Sequence, residues 1–305
     1  MLLSHILEAI GSTPIVELKV LRKKYRLKGH IFVKLEGCNL GGSSKSRVAF
    51  QILNQAIDEK KIRKDTTVME VTSGNTGIAL SLICAILKLS FIAIMPENMS
   101  KERRQLIQAY GGRVILTPEK EGMEGARKKL EEMKKKIKNY YIPNQFTNPQ
   151  NVQVHYEKTG EEIIRDLPSM DIFVAGIGTG GTISGVGKRL KEWKKQVKII
   201  GIEPLESPLI TKGKVGKHQI QGIGPNFISP ILDLSVVDEM MLVSSKKAKK
   251  WMLELAREEG IFVGISSGAV LSSMIKIAKK KNVQVLGLLP DFGERYLSVL
   301  EKNDE

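Results

Sequence analysis

Cysteine is almost absent from this chain: Cys38 and Cys84 are the only two among 305 residues. Two isolated thiols build no disulfide framework and suit a reducing compartment, so the expected location is cytoplasmic. Cys84 falls in the apolar run from Ala79 to Leu89, where a buried thiol is the ordinary outcome. Cys38 adjoins the Lys45 loop, where a reactive thiol is one reading and an inert one the expectation. Histidine is scarce as well. His5, His30, His155 and His218 have no metal-ligand spacing with one another or with the cysteines, so no metal site is expected and none of them is given a role. Aromatics make up 5% of the chain and do not interleave with its lysine runs, which leaves no stacking platform for nucleic-acid bases. No run of 18 apolar residues occurs, so no membrane span is expected. The first eight residues, Met1 to Glu8, lack a basic segment and carry an early acid, which argues against a signal peptide.

Acidic residues are the minority charge, 33 against 48 basic, for a net +15. A surplus of this size could serve nucleic acid or an anionic ligand. The lysines, however, cluster as in Lys134 to Lys138, Lys246 to Lys250 and Lys279 to Lys281, alternating with apolar positions as on solvated helix faces. Nucleic-acid binding is therefore not expected as the main job.

What the chain has in quantity is alternation. Apolar strand candidates are Ile31–Leu35, Thr67–Val71, Phe91–Met95, Arg113–Thr117, Asp171–Ala175, Val197–Ile202, Met240–Val243 and Gln284–Leu289. Amphipathic helices separate them, including Lys101–Tyr110, Gly125–Lys136 and Lys247–Glu259. Strand–helix alternation predicts an α/β fold with mainly parallel sheets. The turn-rich stretch Pro143 to Pro149 is the expected passage from one unit to the other. Open parallel sheets bind ligands beyond the carboxyl ends of their strands, so the loops there are the candidate chemistry.

Four such loops stand out. Asn39-Leu40-Gly41-Gly42-Ser43-Ser44-Lys45-Ser46-Arg47 leads into a helix expected from Val48, with Lys45 at its entry. The positive end of a helix dipole disfavours an ammonium, and an unprotonated amine is a nucleophile able to form a Schiff base. A solvated lysine at an ordinary helix start is the other reading of this loop by itself. Thr72-Ser73-Gly74-Asn75-Thr76-Gly77 offers hydroxyls, an amide and glycines before an apolar helix, a compact anion site suited to a carboxylate. Gly176-Ile177-Gly178-Thr179-Gly180-Gly181-Thr182 is a phosphate cradle by the same physics. Its Gly176, Gly178 and Gly181 also satisfy a dinucleotide pattern, with Glu203 near the place of a ribose-binding acid, so an NAD reading stays open on this segment. Gly264-Ile265-Ser266-Ser267-Gly268-Ala269 is read as a fourth strand–helix loop, and Gly222-Ile223-Gly224 as a flexible turn that could act as a lid.

In this order these loops resemble the cysteine synthase and cystathionine β-synthase family of pyridoxal-phosphate enzymes, whose fold is shared with the tryptophan synthase β subunit. The similarity covers nearly the whole chain. It includes Ile10 to Pro14, Met95 to Ser100, Gln145 to Pro149, Gln221 to Gly224 and Gly293 to Ser298. It implies two three-layer α/β/α domains with mainly parallel twisted sheets and the active site in the cleft between them. Residues 41–145 would form the smaller domain, and residues 1–40 with 146–305 the larger. It implies that Lys45 forms the Schiff base with pyridoxal 5'-phosphate and is the general base. Asn75 would bond the phenolic oxygen, Gly178, Thr179, Gly180, Gly181 and Thr182 the phosphate, and Ser266 the pyridine nitrogen. Thr72, Ser73, Gly74, Thr76 and Gln145 would bind the substrate carboxylate, with Gly222, Ile223 and Gly224 beside the substrate. The three other loops have no job in a dehydrogenase, which displaces the NAD reading.

The implied reaction is β-replacement through an aminoacrylate: cysteine synthase, making L-cysteine and acetate from O-acetyl-L-serine and sulfide. The alternative consumes L-cysteine and releases hydrogen sulfide, giving lanthionine, cystathionine or serine. A catalytically idle binding partner is a third reading, against which intact Lys45, Asn75 and Ser266 argue. The resemblance further implies a homodimer and a possible serine acetyltransferase partner. Leu40 stands where the family usually has proline or alanine, and Ser46 where it usually has aspartate. Both flank the lysine loop and bear on the substrate pair rather than the reaction type. The motifs reach close to both ends of the chain, so the expectation is nearer a bacterial-type cysteine synthase than a form with a regulatory module or a haem segment.

Overall fold

The computed structural model describes residues 2–72 and 74–298. Ten strands occur among them: β1 (Ile15–Glu17), β2 (His30–Leu35), β3 (Thr67–Val71), β4 (Ser90–Pro96), β5 (Arg113–Thr117), β6 (Tyr140–Tyr141), β7 (Ile172–Gly176), β8 (Lys198–Pro204), β9 (Glu239–Val243) and β10 (Gln284–Leu289). The helices are α1 (Lys19–Lys24), α2 (Lys45–Asp58), α3 (Asn75–Leu87), α4 (Lys101–Ala109), α5 (Gly122–Lys136), α6 (Gln150–Val154), α7 (Glu161–Asp166), α8 (Gly181–Trp193), α9 (Leu209–Lys212), α10 (Ser245–Glu259) and α11 (Ile265–Lys280). A π-helical segment, His155–Gly160, joins α6 to α7.

These elements form two compact units. Of the described residues, the larger holds 2–44 and 151–294, the smaller those of 45–150 and 295–298. The divisions fall four and five residues later than the sequence expectation, and the segment from Arg295 joins the smaller unit. At the first division, Ser44 N–H donates to the Pro290 carbonyl at 2.9 Å and Ser43 bridges Asp291, which ties the loop up to Ser44 to the larger unit.

The larger unit has one six-stranded sheet in the order β1-β2-β10-β7-β8-β9. Only β1 runs antiparallel, pairing Val16 with Val33. Parallel strands covered on both faces are apolar along their whole length, as β7 is with Phe173, Val174 and Ala175. Phe173, Ile183, Val186, Leu190 and Ile199 share its core, which seats α8 on the sheet. The smaller unit has a four-stranded, all-parallel sheet, β5-β4-β3-β6. Met69, Ile92, Ile94, Ala126 and Met133 pack α5 onto it.

The fold is α/β with parallel sheets, as the alternation predicted. Three local expectations are corrected. The helices α2 and α3 begin at Lys45 and Asn75, three residues earlier than their apolar periodicity suggested, because their first turns are polar. The Gly264 loop does not follow a sheet strand. It follows α10, a left-handed Gly260 cap and an extended stretch whose Val263 makes an isolated bridge to Phe292. Strands β1 and β6 add pairing that three- and two-residue segments could not signal.

Candidate active site

In the larger unit, the turn between β7 and α8 is built for an anion. Among the described residues, the backbone N–H groups of Gly178, Thr179 and Gly180 meet no backbone or side-chain acceptor. They precede the 13-residue helix α8, whose N-cap Gly180 has the left-handed φ of 86° and makes no side-chain cap. The Thr179 hydroxyl accepts from Asn151 Nδ2 at 3.0 Å and Gly181 N–H at 3.3 Å, which leaves its own proton to donate outward. A Cβ on Gly178 would stand 2.4 Å from the Gly222 carbonyl oxygen, so only glycine lets these two backbones meet. Unused amides, a helix N-terminus and an outward hydroxyl together suit a phosphate. The residues present therefore fit the phosphate of pyridoxal phosphate.

The Gly222–Gly224 turn is pinned against this cradle: Gly224 N–H donates to the Ile177 carbonyl at 2.9 Å, and His218 Nε2 lies 2.9 Å from the Gly224 carbonyl oxygen. Ser266, in the first turn of α11, is buried, and its Oγ would lie 3.9 Å from a Cβ at Gly222. The structure thus brings Gly178, Gly222, Ile223 and Ser266 together. Glu203, the candidate ribose-binding acid, is occupied elsewhere. Its carboxylate accepts from Ile210 N–H at 2.9 Å, Thr211 N–H at 3.0 Å and the Thr211 hydroxyl at 2.6 Å, capping α9.

In the smaller unit, Lys45 is half-buried as the first residue of α2. The loop before it turns through left-handed Gly41 and Gly42, with Gly42 N–H on the Asn39 carbonyl at 2.7 Å. Thr72, Gly74, Asn75 and Thr76 lie between β3 and the start of α3. Ser73, also expected here, lies outside the described residues. The Thr76 hydroxyl donates to Gln145 Oε1 at 2.6 Å, which turns the donating Nε2 end of that amide away from Thr76. Asn75 Oδ1 accepts from Arg295 Nη1 at 2.7 Å. Behind this loop, Glu70 is buried in β3 and accepts the Asn144 N–H at 2.8 Å. Burial pushes its carboxyl up to about 8, the Asn144 bond opposing only part of the rise. Asn144 holds the left-handed φ of 51° that launches the turn carrying Gln145.

Four residues were missed by sequence reasoning: Asn151, His155, Arg295 and Glu70. Asn151 and His155 lie four apart, on one helical face. His155 is fully buried, with Nε2 3.1 Å from Thr182 Oγ1 and Nδ1 2.9 Å from Thr159 Oγ1. Gly181 and Gly185 let this segment come close, since a Cβ on them would meet Asn151 Oδ1 at 2.1 Å and the Val152 carbonyl at 2.3 Å. The i, i+4 spacing was the only available signal.

Both thiols are poor nucleophiles. Burial pushes Cys84 up to about 12, and partial burial with Glu36 nearby raises the exposed Cys38. Among the described residues, no three His, Cys, Asp or Glu side chains are grouped to hold a metal ion, and no helix is long and apolar enough to cross a membrane.

A family model described as pyridoxal-phosphate dependent enzyme matches residues 6–286. Over 293 residues the chain is 50% identical to cysteine synthase B of Campylobacter jejuni, covering 95% of this chain and 96% of that one. Its structure matches a hydrogen sulfide-producing enzyme of Fusobacterium nucleatum with a TM-score of 0.93 at 42% identity, over 97% of this chain and 100% of that one. It matches a cysteine synthase of Entamoeba histolytica with a TM-score of 0.94 at 39% identity, over 98% and 90% of the two chains.

Proposed function

The chain belongs to the family of pyridoxal-phosphate dependent enzymes and catalyses β-replacement, and we propose that it joins sulfide to the β-carbon of O-acetyl-L-serine, giving L-cysteine and acetate. The observation that carries this reading is the larger unit's pairing of a phosphate cradle with a neutral partner. The unused amides of Gly178, Thr179 and Gly180 lie beside Gly222, and Ser266 offers a hydroxyl where other designs would use a carboxylate.

Bound pyridoxal phosphate would supply the electron sink for loss of the substrate's α-proton. The chain's own groups do the rest. Lys45 would hold the cofactor through its amine and, once released, take the α-proton. The cradle from Gly178 to Thr182 would bind the phosphate, with Asn151 and His155 orienting Thr179 and Thr182. Asn75 would donate to the phenolic oxygen. Ser266 would meet the pyridine nitrogen without forcing its protonation, as a carboxylate would, so electron withdrawal is moderate. A moderate sink suits prompt departure of a β-substituent. Thr72, Ser73, Gly74, Thr76 and Gln145 would bind the α-carboxylate, and the Gln145 Nε2 end turned from Thr76 is a suitable donor. Gly222, Ile223 and Gly224 would border the substrate.

The similarity to a hydrogen sulfide-producing enzyme favours a second reading, in which L-cysteine is the donor and sulfide leaves. Purified, cofactor-loaded protein tests the two. Faster formation of L-cysteine from O-acetyl-L-serine and sulfide supports the first. Faster sulfide release from L-cysteine overturns it in favour of the second. A cytoplasmic homodimer, with serine acetyltransferase as a possible partner, belongs to the same reading and is checked by light scattering with and without that enzyme.

A further inference from the structure

The segment Gly293 to Ser298 is part of the sequence resemblance, and no residue in it has been given a role. In the structure its Arg295, on a short 3-10 turn, reaches the first residue of α3: Nη1 donates to Asn75 Oδ1 at 2.7 Å. From Arg295 on, the segment is seated in the smaller unit. Tyr296 is buried under the Arg103 guanidinium, 4.9 Å from ring centroid to Cζ, and Ser298 donates to Glu102 through both N–H and Oγ at 2.9 Å. Arg295 is therefore held in place on its C-terminal side.

The chemistry of the contact fixes an orientation. A guanidinium has donors and no acceptor, so the end of the Asn75 amide that faces it is the carbonyl. The opposite end, Nδ2, is the donor. An asparagine amide has nearly the same shape when flipped, and side-chain packing alone does not choose between its ends. The choice decides function, because a phenolic oxygen carrying negative charge is attracted by Nδ2 and repelled by Oδ1.

We propose that Arg295 is a positioning residue for the cofactor: by holding Oδ1 of Asn75, it presents Nδ2 to the phenolic oxygen of pyridoxal phosphate. The inference rests on the role given to Asn75 above. A charge-assisted bond at one end of an amide also polarises the other, making Nδ2–H the stronger donor.

The test uses the full-length protein, with Arg295→Met, Arg295→Lys, Asn75→Ala and the double variant Asn75→Ala/Arg295→Met. Two quantities are read: the Kd for pyridoxal phosphate from titration of the apoprotein, and the pH dependence of the bound cofactor's visible absorption. Arg295→Met is expected to raise the Kd about tenfold, the size of one charge-assisted hydrogen bond. It should also favour the shorter-wavelength band of the neutral phenol at a given pH. Arg295→Lys keeps a donor-only cation and should stay near wild type. In the Asn75→Ala background, Arg295→Met should add nothing, because its effect passes through Asn75. Additive effects, or equal shifts in Arg295→Lys and Arg295→Met, overturn the proposal. If Asn75→Ala shifts both readouts and Arg295→Met shifts neither, the proposal fails and the role of Asn75 stands. If Asn75→Ala shifts neither, the role of Asn75 fails and the proposal with it. Should Arg295→Met not fold, Arg295→Gln takes its place, and behaviour equal to Arg295→Lys overturns the proposal.

Discussion

Replacing Glu70 by glutamine turns a buried carboxyl into a permanent copy of its protonated form. Glu70 lies in β3 behind the Thr72 loop and accepts a hydrogen bond from Asn144 N–H at 2.8 Å. Burial raises its pKa from 4.5 to about 8. Between these values the folded protein keeps a proton that the unfolded chain has lost, so folding stability falls as pH rises through the window and levels off above it. At about 1.4 kcal/mol per unit, a rise from 4.5 to about 8 amounts to a loss of about 5 kcal/mol at alkaline pH. The glutamine cannot ionise and still offers Oε1 to Asn144, so the variant should escape this loss. Urea unfolding of both proteins, equally loaded with cofactor, reads the difference in stability at pH 5, 7 and 9. All other titrations cancel in that difference. Glu70→Gln should gain on wild type with rising pH, by several kcal/mol between pH 5 and pH 9. A difference that stays constant across the range would show that Glu70 ionises normally in the fold and would refute the reasoning.

Three further outcomes follow from the site. Lys45→Ala should abolish turnover, since attachment and the general base are lost together; a fully active variant with cofactor bound would mean that another lysine serves. The pair Thr179→Ala and Thr182→Ala should weaken cofactor retention on dialysis, each lost bond to a charged phosphate being worth roughly 1.5–3 kcal/mol, and unchanged retention in the double variant would remove the cradle assignment. Gln145→Ala should bind the amino-acid substrate more weakly in a spectral titration, by on the order of tenfold; wild-type affinity would exclude Gln145 from carboxylate binding.

The strands were legible wherever they are buried and parallel. Thr67–Val71 and Gln284–Leu289 have the bounds their apolar runs suggested, because a covered parallel strand has no polar face to interrupt the run, and the edge strand Arg113–Thr117 has them although Arg113 and Leu116 are exposed. Helix starts were read late, since Lys45, Ser46, Asn75 and Thr76 look like loop residues while already helical. The π-helical turn His155–Gly160 leaves no trace in a 3.6-residue period, and with it went the reason His155 reaches Thr182. The Arg295–Asn75 contact spans 220 positions, and no spacing rule covers such a distance. Glu70 reads as an ordinary acid in the sequence, because the rise of its carboxyl comes from burial.

One pattern joins the candidate residues and was written in the sequence without being read. Among the helices longer than eight residues, α4 begins with the Ser100 cap and Glu102, α5 carries Glu124 in its first turn, and α10 has the Ser244 cap. Each satisfies its own exposed amides or its dipole. Helices α3, α8 and α11 do neither: no acid stands in their first turns, and Gly74, Gly180 and Gly264 at their N-caps make no side-chain cap bond among the described residues. Helix α2, led by Lys45, likewise has no acid in its first turn. These four are the helices whose first turns hold Lys45, Asn75, Thr182 and Ser266. An acid there would compete with a phosphate or carboxylate for the same N–H groups and repel it. What marks α3, α8 and α11 is the glycine N-cap with no side-chain bond, a local cost in stability of roughly a few tenths of a kcal/mol each against a Ser, Asp or Asn cap, which a bound anion would offset.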